Sequence, residues 1–390
     1  MSDEYDVELT EEHIMLRDTV RKFADNEIAP VADKDENEHR FQRELVNKMA
    51  ELGLFGCPIP EEYGGNAMGY LAHAIVTEEI GRVSASLRVG FNMQTMGTAM
   101  SILKWGSEDL KRKYIPALMS AEMIGCFGIT EPDAGSDTAA MATTAVKDGD
   151  QYVINGRKMW ITWAPVADMS IIFAMTDKKA KHKGMSAFVM DMHSPGVTAV
   201  TIPDKLGIWA CPTGEIIMED VKVPAGNLLG SEGKGFGHLM QELASTRLSA
   251  AAGAVGTCQA ALEVAIKYAN ERSQFGRPIA EFQMVQETIA QMVAETEAAR
   301  ALVWRCAIQK DRGLINNVRE TCLAKFYASR AADTVPDLAL EVLGAYGYSN
   351  EYPIARILRD GKVYKILEGS TNIMKMIVAN DALGLKKANR

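Results

Sequence analysis

The sequence predicts a mainly α-helical protein with a β domain in its middle. Apolar residues recur at helical spacing from Thr10 to about Ala121, strand-like alternation with tight turns follows to about Gly230, and long helical patterns return from Gly237. We therefore expect an N-terminal helical domain, a central β domain built as an antiparallel sheet or small barrel, and a C-terminal helical domain, at residues 1–123, 124–235 and 236–390.

The bulk composition is that of an ordinary globular protein. The chain has 390 residues, of which 47% are hydrophobic and 24% are charged, enough for several packed layers with substantial cores. The formal charge of −9 argues against a nucleic-acid partner, and we expect none.

Cysteine and histidine are scattered, so we expect neither a disulfide framework nor a metal site. Several of the six cysteines lie in apolar context, as buried free thiols do, which favours a reducing cytoplasm. The acidic N-terminus lacks the order of a signal peptide. The apolar stretch Leu248–Leu262 is short for a membrane span and is better explained as a buried helix, so we expect no membrane insertion.

The N-terminal part is predicted from stripes of apolar side chains. Leu16, Val20 and Phe23 fall on one helical face, and similar stripes follow at Leu45–Ala50 and Ala72–Ile80. Prolines and glycines separate these segments.

The central part is predicted from short alternating runs. No long helix interrupts them, which favours an antiparallel sheet or small barrel over a nucleotide-binding βαβ sheet. Asp148-Gly149-Asp150 and Asn155-Gly156 are turn signals between strands. The candidate strands are Gln151–Ile154, Ser170–Met175, Ser186–Met190, Val197–Val200 and Glu215–Met218.

The C-terminal part carries three long helical patterns, at Leu248–Asn270, Met284–Arg312 and Val318–Leu343. A four-helix bundle is the natural way to cover such long amphipathic faces.

Glu368 is the most informative single residue. It is followed by Gly369-Ser370-Thr371, which predicts a tight turn just before a helix capped by one of the two hydroxyl residues. The apolar residues Val363, Ile366 and Leu367 would place the carboxylate against a poorly solvated wall, where it is a stronger base. An isolated glutamate before a helix is also an ordinary cap or surface residue, so other segments have to decide.

Four further segments look chemically specialised. They are Cys126-Phe127-Gly128-Ile129-Thr130-Glu131-Pro132-Asp133-Ala134-Gly135-Ser136-Asp137, Lys158-Met159-Trp160-Ile161-Thr162, Glu271-Arg272-Ser273-Gln274-Phe275-Gly276-Arg277-Pro278-Ile279 closed by Gln283, and Leu343-Gly344-Ala345-Tyr346-Gly347-Tyr348 followed by Glu351-Tyr352-Pro353. Each alone also fits a turn, a core aromatic or a helix-end cap. Together with Glu368, in this order and over essentially the whole chain, they resemble the acyl-CoA dehydrogenase family.

The resemblance implies both an architecture and an activity. It implies a central β-barrel domain, a C-terminal four-helix bundle domain, non-covalent FAD between the domains, and a homotetramer. Such enzymes remove the α-proton and the β-hydride of an acyl-CoA thioester and pass electrons to an electron-transferring flavoprotein.

The same resemblance assigns cofactor contacts. An aromatic and a hydroxyl at the isoalloxazine would exclude water and tune the ring, and a guanidinium from a neighbouring subunit would suit the pyrophosphate. Glu341 stands where many members carry glutamine, so a side-chain contact from that position is in doubt. The implied cofactor residues are Phe127, Ile129, Thr130, Ser136, Trp160, Thr162, Arg272, Phe275, Gln283, Gly344, Ala345, Ser370 and Asn372.

Glu368 matches the family's catalytic base, with Ser136, Arg247 and Gly369 as further substrate contacts. Its backbone N–H would help to polarise the thioester oxygen, together with a ribityl hydroxyl of FAD. Isovaleryl- and long-chain-type members carry their base immediately before the arginine matched by Arg247, where this chain has Thr246, which cannot serve.

Arg88 is the best clue to the acyl group, because an arginine in an apolar helical stretch needs an anionic or carbonyl partner. A helix-surface or carbonyl-capping role is the plain alternative. The position matches the arginine that receives the distal carboxylate in glutaryl-CoA dehydrogenases. Decarboxylating members carry tyrosine where this chain has Leu367, so the product could be glutaconyl-CoA rather than crotonyl-CoA.

Three alternatives remain open from the sequence. One is an alicyclic or branched substrate such as cyclohexanecarboxyl-CoA, with Arg88 structural. The second is a binding protein of the same fold without catalysis, against which Glu368 argues. The third and poorest is a nicotinamide oxidoreductase, because the dinucleotide fingerprint is missing.

Overall fold

A computed structural model describes residues 9–314 and 317–385 and arranges them as a helical part, a β part and a second helical part. In the first part, π-helical turns at Ala24–Ile28 and Met93–Ala99 join α1 to α2 and α5 to α6. The stripe residues Val20 and Phe23 are buried, as predicted. The helices are α1 (Glu11–Phe23), α2 (Ala29–Asn37), α3 (Arg43–Glu51), α4 (Gly69–Val83), α5 (Ala85–Asn92), α6 (Met100–Trp105) and α7 (Glu108–Met119).

The β part is one seven-stranded sheet. Strand β4 pairs in parallel with β1 and antiparallel with β5, and β3 pairs antiparallel with both β2 and β7. The strands are β1 (Gly125–Gly128), β2 (Thr144–Asp148), β3 (Gln151–Thr162), β4 (Met169–Met175), β5 (Met185–Asp191), β6 (Val197–Thr201) and β7 (Thr213–Pro224).

The predicted closed β-barrel is wrong, because the sheet is an open half-barrel. Pairing runs in the order β1-β4-β2-β3-β7-β6, and among the described residues β6 joins neither β1 nor β5. Helical segments pack on two of the edge strands: the π turn Met93–Ala99 packs on β1, and the first long helix of the C-terminal part packs on β5. The third edge strand, β6, has four of its five residues exposed.

The predicted turn at Asn155-Gly156 is also wrong, because both residues lie inside β3 at a bulge in its pairing with β7. Gly156 has a φ of 152° and its Cα faces the backbone of Thr143, where a side chain would clash. The glycine therefore serves a close approach between strands. The other predicted turn, Asp148-Gly149-Asp150, does connect β2 to β3.

The C-terminal part is a helical bundle in which α10 packs against α8, α9 and α12. Helix α8 is long and apolar enough to cross a membrane by length and composition alone, but 78% of its most apolar window is buried inside the protein. It is a core helix, as predicted. The elements are α8 (Gly235–Glu271), β8 (Ser273–Gln274), β9 (Arg277–Pro278), α9 (Gln283–Asp311), α10 (Val318–Leu343), α11 (Pro353–Gly361) and α12 (Thr371–Ala382).

Two interfaces tie the parts together. Helix α4 crosses α8 where Gly81 and Gly253 face each other, close enough that a Cβ on Gly81 would lie 3.1 Å from the Gly253 carbonyl oxygen. At the second interface, a loop of the β part meets both helical parts. The Glu36 carboxylate of α2 accepts from the Trp209 backbone N–H at 2.6 Å, and the Asp360 carboxylate of α11 accepts from that of Ile208 at 2.6 Å.

Candidate active site

Glu368 lies on a tight turn between Tyr364 and α12, as the sequence predicts. Ser370 is the N-cap of α12, and its hydroxyl accepts from the Ile373 backbone N–H at 3.5 Å. Glu368 itself adopts a left-handed backbone with a φ of 57°, and Gly369 follows at 98°. A left-handed non-glycine residue costs about 1–2 kcal/mol, so the surrounding contacts must hold this turn in place.

Contacts from α5 and α8 fix the glutamate. The Asn92 amide donates to Glu368 Oε1 at 3.3 Å, and Arg247 Nε donates to the Glu368 carbonyl oxygen at 3.0 Å. Within the described residues, the backbone N–H of Glu368 donates to no other group of the chain. The turn therefore presents a carboxylate and a free N–H donor side by side, both half-buried.

Arg88 is buried on the same helix as Asn92, one turn before it. Its side chain has 0% exposure, and in the described structure its three guanidinium nitrogens find no hydrogen-bond partner. The guanidinium lies over the Tyr364 ring, 4.9 Å from the ring centroid. A cation–π contact offsets only part of the cost of burying a charge, so the group is poised for an anion.

Two glycines leave the space that the Arg88 side chain fills. A Cβ on Gly253 would lie 2.5 Å from Arg88 Cδ and Nε, and a Cβ on Gly81 would lie 3.3 Å from Arg88 Cγ. The floor under the guanidinium is therefore helix backbone. Nearby His73 stays uncharged, because burial and then the charge of Arg88 lower its pKa to about 3.

A second group of predicted residues meets where β1 and the loop after it lie beside β3. The Met159 backbone N–H donates to the Thr130 carbonyl at 2.8 Å. Between the two segments, Lys158 Nζ lies 2.8 Å from Glu131 Oε1, a fully buried ion pair. Phe127 is buried, Ile129, Thr130 and Thr162 are half-buried, and Ser136 is exposed.

Trp160 is the most unusual member of this group. It sits at an irregularity in the β3–β7 pairing with a φ of 61°, and 56% of its surface is exposed. A bulky residue in a left-handed conformation on a strand is a genuine outlier, and such outliers cluster at ligand sites. The bulge turns a large indole outward instead of into the core.

The α5–π–α6 helix connects these two groups. Arg88 and Asn92 face the Glu368 turn, and further along Gly97 lies against Phe127, 3.4 Å from Phe127 Cβ for an added Cβ. Gly97 lies nine positions after Arg88 along this helix, about 13 Å away at the usual rise.

The third group lies at the far end of the bundle. Arg272 stacks over Tyr346 at 5.5 Å, next to the exposed Gly344 and Ala345. Phe275 is 95% exposed and packs edge-on against Phe282 at 6.0 Å, while Gln283 is exposed. The ring contacts of Arg272 and Phe275 are both with residues at this end of the bundle. Asn372, on the first turn of α12, is exposed.

Sequence reasoning missed Asn92 and Lys325. Asn92 lies four residues after Arg88 in an apolar helix, and that helical spacing was a usable signal because it puts both side chains on one face. Lys325 is fully buried on α10 and donates to two backbone carbonyls of the Glu368 turn. Nothing in the local sequence distinguishes it from a surface lysine.

Comparison with known proteins places the whole chain in one group. Three family profiles match: "Acyl-CoA dehydrogenase, N-terminal domain" at residues 10–122, "Acyl-CoA dehydrogenase, middle domain" at 126–221, and "Acyl-CoA dehydrogenase, C-terminal domain" at 233–383. Together they span most of the sequence.

Individual relatives agree with those profiles. The chain is 52% identical over 389 residues to a glutaryl-CoA dehydrogenase of Desulfococcus multivorans, covering 99% of this chain and 100% of that one. A solved glutaryl-coenzyme A dehydrogenase in complex with glutaryl-CoA superposes with a TM-score of 0.96 at 51% identity, covering 99% and 98% of the two chains. A glutaryl-CoA dehydrogenase from Mycobacterium smegmatis in complex with FADH2 superposes with a TM-score of 0.92 at 28% identity, covering 98% and 96%.

Proposed function

The chain belongs to the acyl-CoA dehydrogenase family, and from this premise we propose that it oxidises glutaryl-CoA at the bond between Cα and Cβ. The single observation that carries the choice of substrate is the buried Arg88, whose guanidinium has no hydrogen-bond partner in the described structure. A buried charge without a counter-ion is costly, and a substrate that supplies a carboxylate there recovers that cost.

Arg88 and the residue that contacts the base lie on one face of the same helix. Asn92 touches the Glu368 carboxylate, and Arg88 lies one helical turn, about 6 Å, before it on the same face of α5. Glutaryl-CoA places its free carboxylate a few bonds beyond the carbon that loses the proton. An alicyclic or branched acyl group would leave Arg88 without an anion, which favours the dicarboxylic substrate.

The residues of the Glu368 turn can perform the proton transfer. The Glu368 carboxylate takes the α-proton, and the Asn92 amide that donates to Oε1 holds the other oxygen free to face the substrate. The backbone N–H of Glu368 would donate to the thioester oxygen as enolate character develops. Arg247 donates to the Glu368 carbonyl and so fixes the position of both the carboxylate and the backbone N–H of Glu368.

The described residues fit the FAD on which this family depends. The outward-turned Trp160 offers an aromatic face of the kind a flavin ring packs on, and the hydroxyls of Thr130 and Thr162 lie half-buried beside it. When bound, FAD supplies the hydride acceptor. Phe127, Ile129 and Ser136 would complete this side, with Ser370 and Asn372 contacting the cofactor from α12.

We propose that two further features come from a second copy of the chain. Arg272, Phe275 and Gln283 are exposed at one end of the bundle, and a phenyl ring 95% exposed is unusual on a surface that stays in water. A homotetramer would let these residues, with Gly344 and Ala345, hold the pyrophosphate and adenine half of a neighbour's FAD. An electron-transferring flavoprotein would then reoxidise the reduced flavin.

We propose domain boundaries after residues 123 and 235, which lie in the short connections before β1 and at the start of α8. All six cysteines are buried free thiols, which supports a reducing, cytoplasmic setting.

Leu367 supports oxidation without decarboxylation. Its side chain packs against the core shared by the N-terminal helices and the sheet and against the core of the C-terminal bundle, and it carries no hydroxyl. Glutaconyl-CoA would then be the product. Incubation with glutaryl-CoA and a ferricenium acceptor, followed by identification of the CoA esters, decides between glutaconyl-CoA and crotonyl-CoA.

Substitution of Arg88 tests the substrate assignment. In Arg88→Met, we expect kcat/KM for glutaryl-CoA to fall by roughly 30- to 150-fold, about 2–3 kcal/mol for a lost charge pair, while kcat/KM for butyryl-CoA is unchanged or rises. Arg88→Lys, which keeps the charge, should retain part of the glutaryl-CoA activity. Equal effects on both substrates would make Arg88 structural and return the choice to an alicyclic or branched acyl group.

The binding-protein alternative has its own test. A preparation that carries FAD and is bleached by an acyl-CoA thioester under anaerobic conditions is catalytic. A yellow protein that no acyl-CoA in a panel of short, branched and dicarboxylic esters bleaches would be a non-catalytic relative.

A further inference from the structure

Lys325 lies beside the Glu368 turn and has no role in the proton transfer described so far. Its side chain rises from α10 into the protein with 0% exposure. The ammonium donates to the Tyr364 carbonyl at 2.7 Å and to the Gly369 carbonyl at 2.7 Å. These two residues stand on either side of Glu368, so a single ammonium bridges the start and the end of the turn that carries the base.

The turn needs such a bridge. Glu368 and Gly369 are both left-handed, and two consecutive residues in that region do not persist without fixed neighbours. Arg247 holds the Glu368 carbonyl from α8, and Lys325 holds the flanking carbonyls from α10. Three backbone carbonyls of one short turn thus point at two buried cations from two different helices.

An ammonium is costly to bury at this place. Burial lowers the pKa of Lys325 to about 8, and the Glu368 carboxylate opposes that fall, while Arg247 and Arg88 add to it and Cys322 opposes it. The two backbone carbonyls that accept from the ammonium offset part of this cost.

We propose that Lys325 is a positioning residue of the proton transfer: it clamps the turn that presents the Glu368 carboxylate to the α-proton. The proposal rests on the proposed function, because it assigns Lys325 a part in that same reaction. Lys325 need not touch the substrate, since it acts through the turn.

Two substitutions test the clamp. Lys325→Gln leaves a shorter, uncharged donor, and Lys325→Met leaves no donor. In Lys325→Gln, we expect kcat to fall by roughly tenfold, because the two carbonyls are held less firmly and the base is less well placed. KM for glutaryl-CoA should change little, since Lys325 does not contact the substrate. Lys325→Met should show a deeper loss of kcat, again with little change in KM.

Lys205→Gln is the matched control. Lys205 also bridges a loop, donating to the Cys211 carbonyl at 2.5 Å and the Thr213 hydroxyl at 2.9 Å, in the β part. The loss of Lys205 should lower thermal stability and leave kcat for glutaryl-CoA unchanged. FAD absorbance and circular dichroism establish that each variant is folded before rates are compared.

The outcomes are distinguishable from failure of the proposed function. If the wild-type enzyme turns over no acyl-CoA, the function itself is wrong. If the wild-type enzyme is active and folded Lys325→Met keeps its kcat, the role of Lys325 is overturned and the function stands. A loss of thermal stability without a loss of kcat likewise makes Lys325 structural only.

Discussion

At Glu368 one residue has to meet two requirements that usually exclude each other. Its backbone adopts the left-handed conformation that favours glycine, yet its side chain must be a carboxylate. The carboxylate is indispensable to the proposed reaction, so the strain stays and Arg247 and Lys325 hold the turn. The sequence revealed the carboxylate and the helix cap after it, but not the strain, because φ depends on contacts with α8 and α10.

Replacement of the base gives the first residue-scale prediction. Glu368→Gln keeps the shape and the Asn92 contact and removes the proton acceptor. We expect FAD to remain bound and the rate of flavin bleaching by glutaryl-CoA to fall by at least about 10³-fold, towards the upper end of what a general base contributes. Stopped-flow absorbance measures that rate, and bleaching at the wild-type rate would remove Glu368 from the role.

Asn92 gives the second. Asn92→Leu removes the amide that donates to Glu368 Oε1 without changing the size of the side chain much. We expect a smaller loss of kcat than in Glu368→Gln, of about 10- to 150-fold, because one hydrogen bond to a charged group contributes roughly 1.5–3 kcal/mol. Ser101→Ala, on the next helix and bonded only to its own helix backbone in the described structure, is a control that should leave kcat unchanged.

Among the elements, the crossing of α4 and α8 matters most for the site. Gly253 on α8 leaves the space that Arg88 fills. Gly253→Ala should displace the guanidinium and cost about 1–3 kcal/mol of stability from overpacking, with kcat/KM for glutaryl-CoA falling more than that for butyryl-CoA.

Gly237→Ala is the control for that substitution. Gly237 lies on the same helix with no atom within 4 Å of an added Cβ, so alanine there should raise stability by roughly 0.5–1 kcal/mol through helix propensity. Thermal unfolding and the ratio of the two kcat/KM values measure both variants. A Gly253→Ala enzyme that keeps the wild-type ratio would show that the glycine does not set the position of Arg88.

The helices and strands also show which parts of the secondary structure could be predicted from the sequence. Long amphipathic patterns predicted α9 and α10 within a residue or two, because their apolar faces are set by local periodicity. Strand β1 was missed because it has only four residues, all buried, and β2 because four of its five side chains are at least partly exposed. Sheet closure was predicted wrongly, since closure depends on which strands pair across the sheet, and β6 pairs with β7 alone among the described strands.

Across the whole molecule, two buried carboxylates join all three parts at the loop around Trp209. Burial, and then the charge of Glu36, raises the pKa of Asp360 to about 7, while the unfolded value is 3.8. Between these values the folded carboxyl binds a proton that the unfolded one has released, so stability falls as pH rises through that window.

The decrease of stability with rising pH can be measured by thermal unfolding. Between pH 5 and pH 8, the unfolding temperature of the wild-type protein should fall, and Asp360→Asn, which keeps an acceptor for the Ile208 N–H, should flatten that slope. Asp333→Asn is the control: burial raises the pKa of Asp333, but Lys362 and Lys365 outweigh it and hold the value below 3.8, so its carboxylate stays ionised throughout. Identical slopes for wild type and Asp360→Asn would contradict the assignment.

The helix backbone beneath Arg88 limits how the acyl-group specificity of such an enzyme could change. Pockets walled by side chains are deepened by trimming a leucine to an alanine, one mutation at a time. Here the Arg88 side chain lies on the crossing of α4 and α8 at Gly81 and Gly253. Glycine has no side chain that a substitution could shorten. A longer diacid could be admitted only by giving up the arginine or by moving the helices apart, so the helix spacing itself works as the ruler for acyl length.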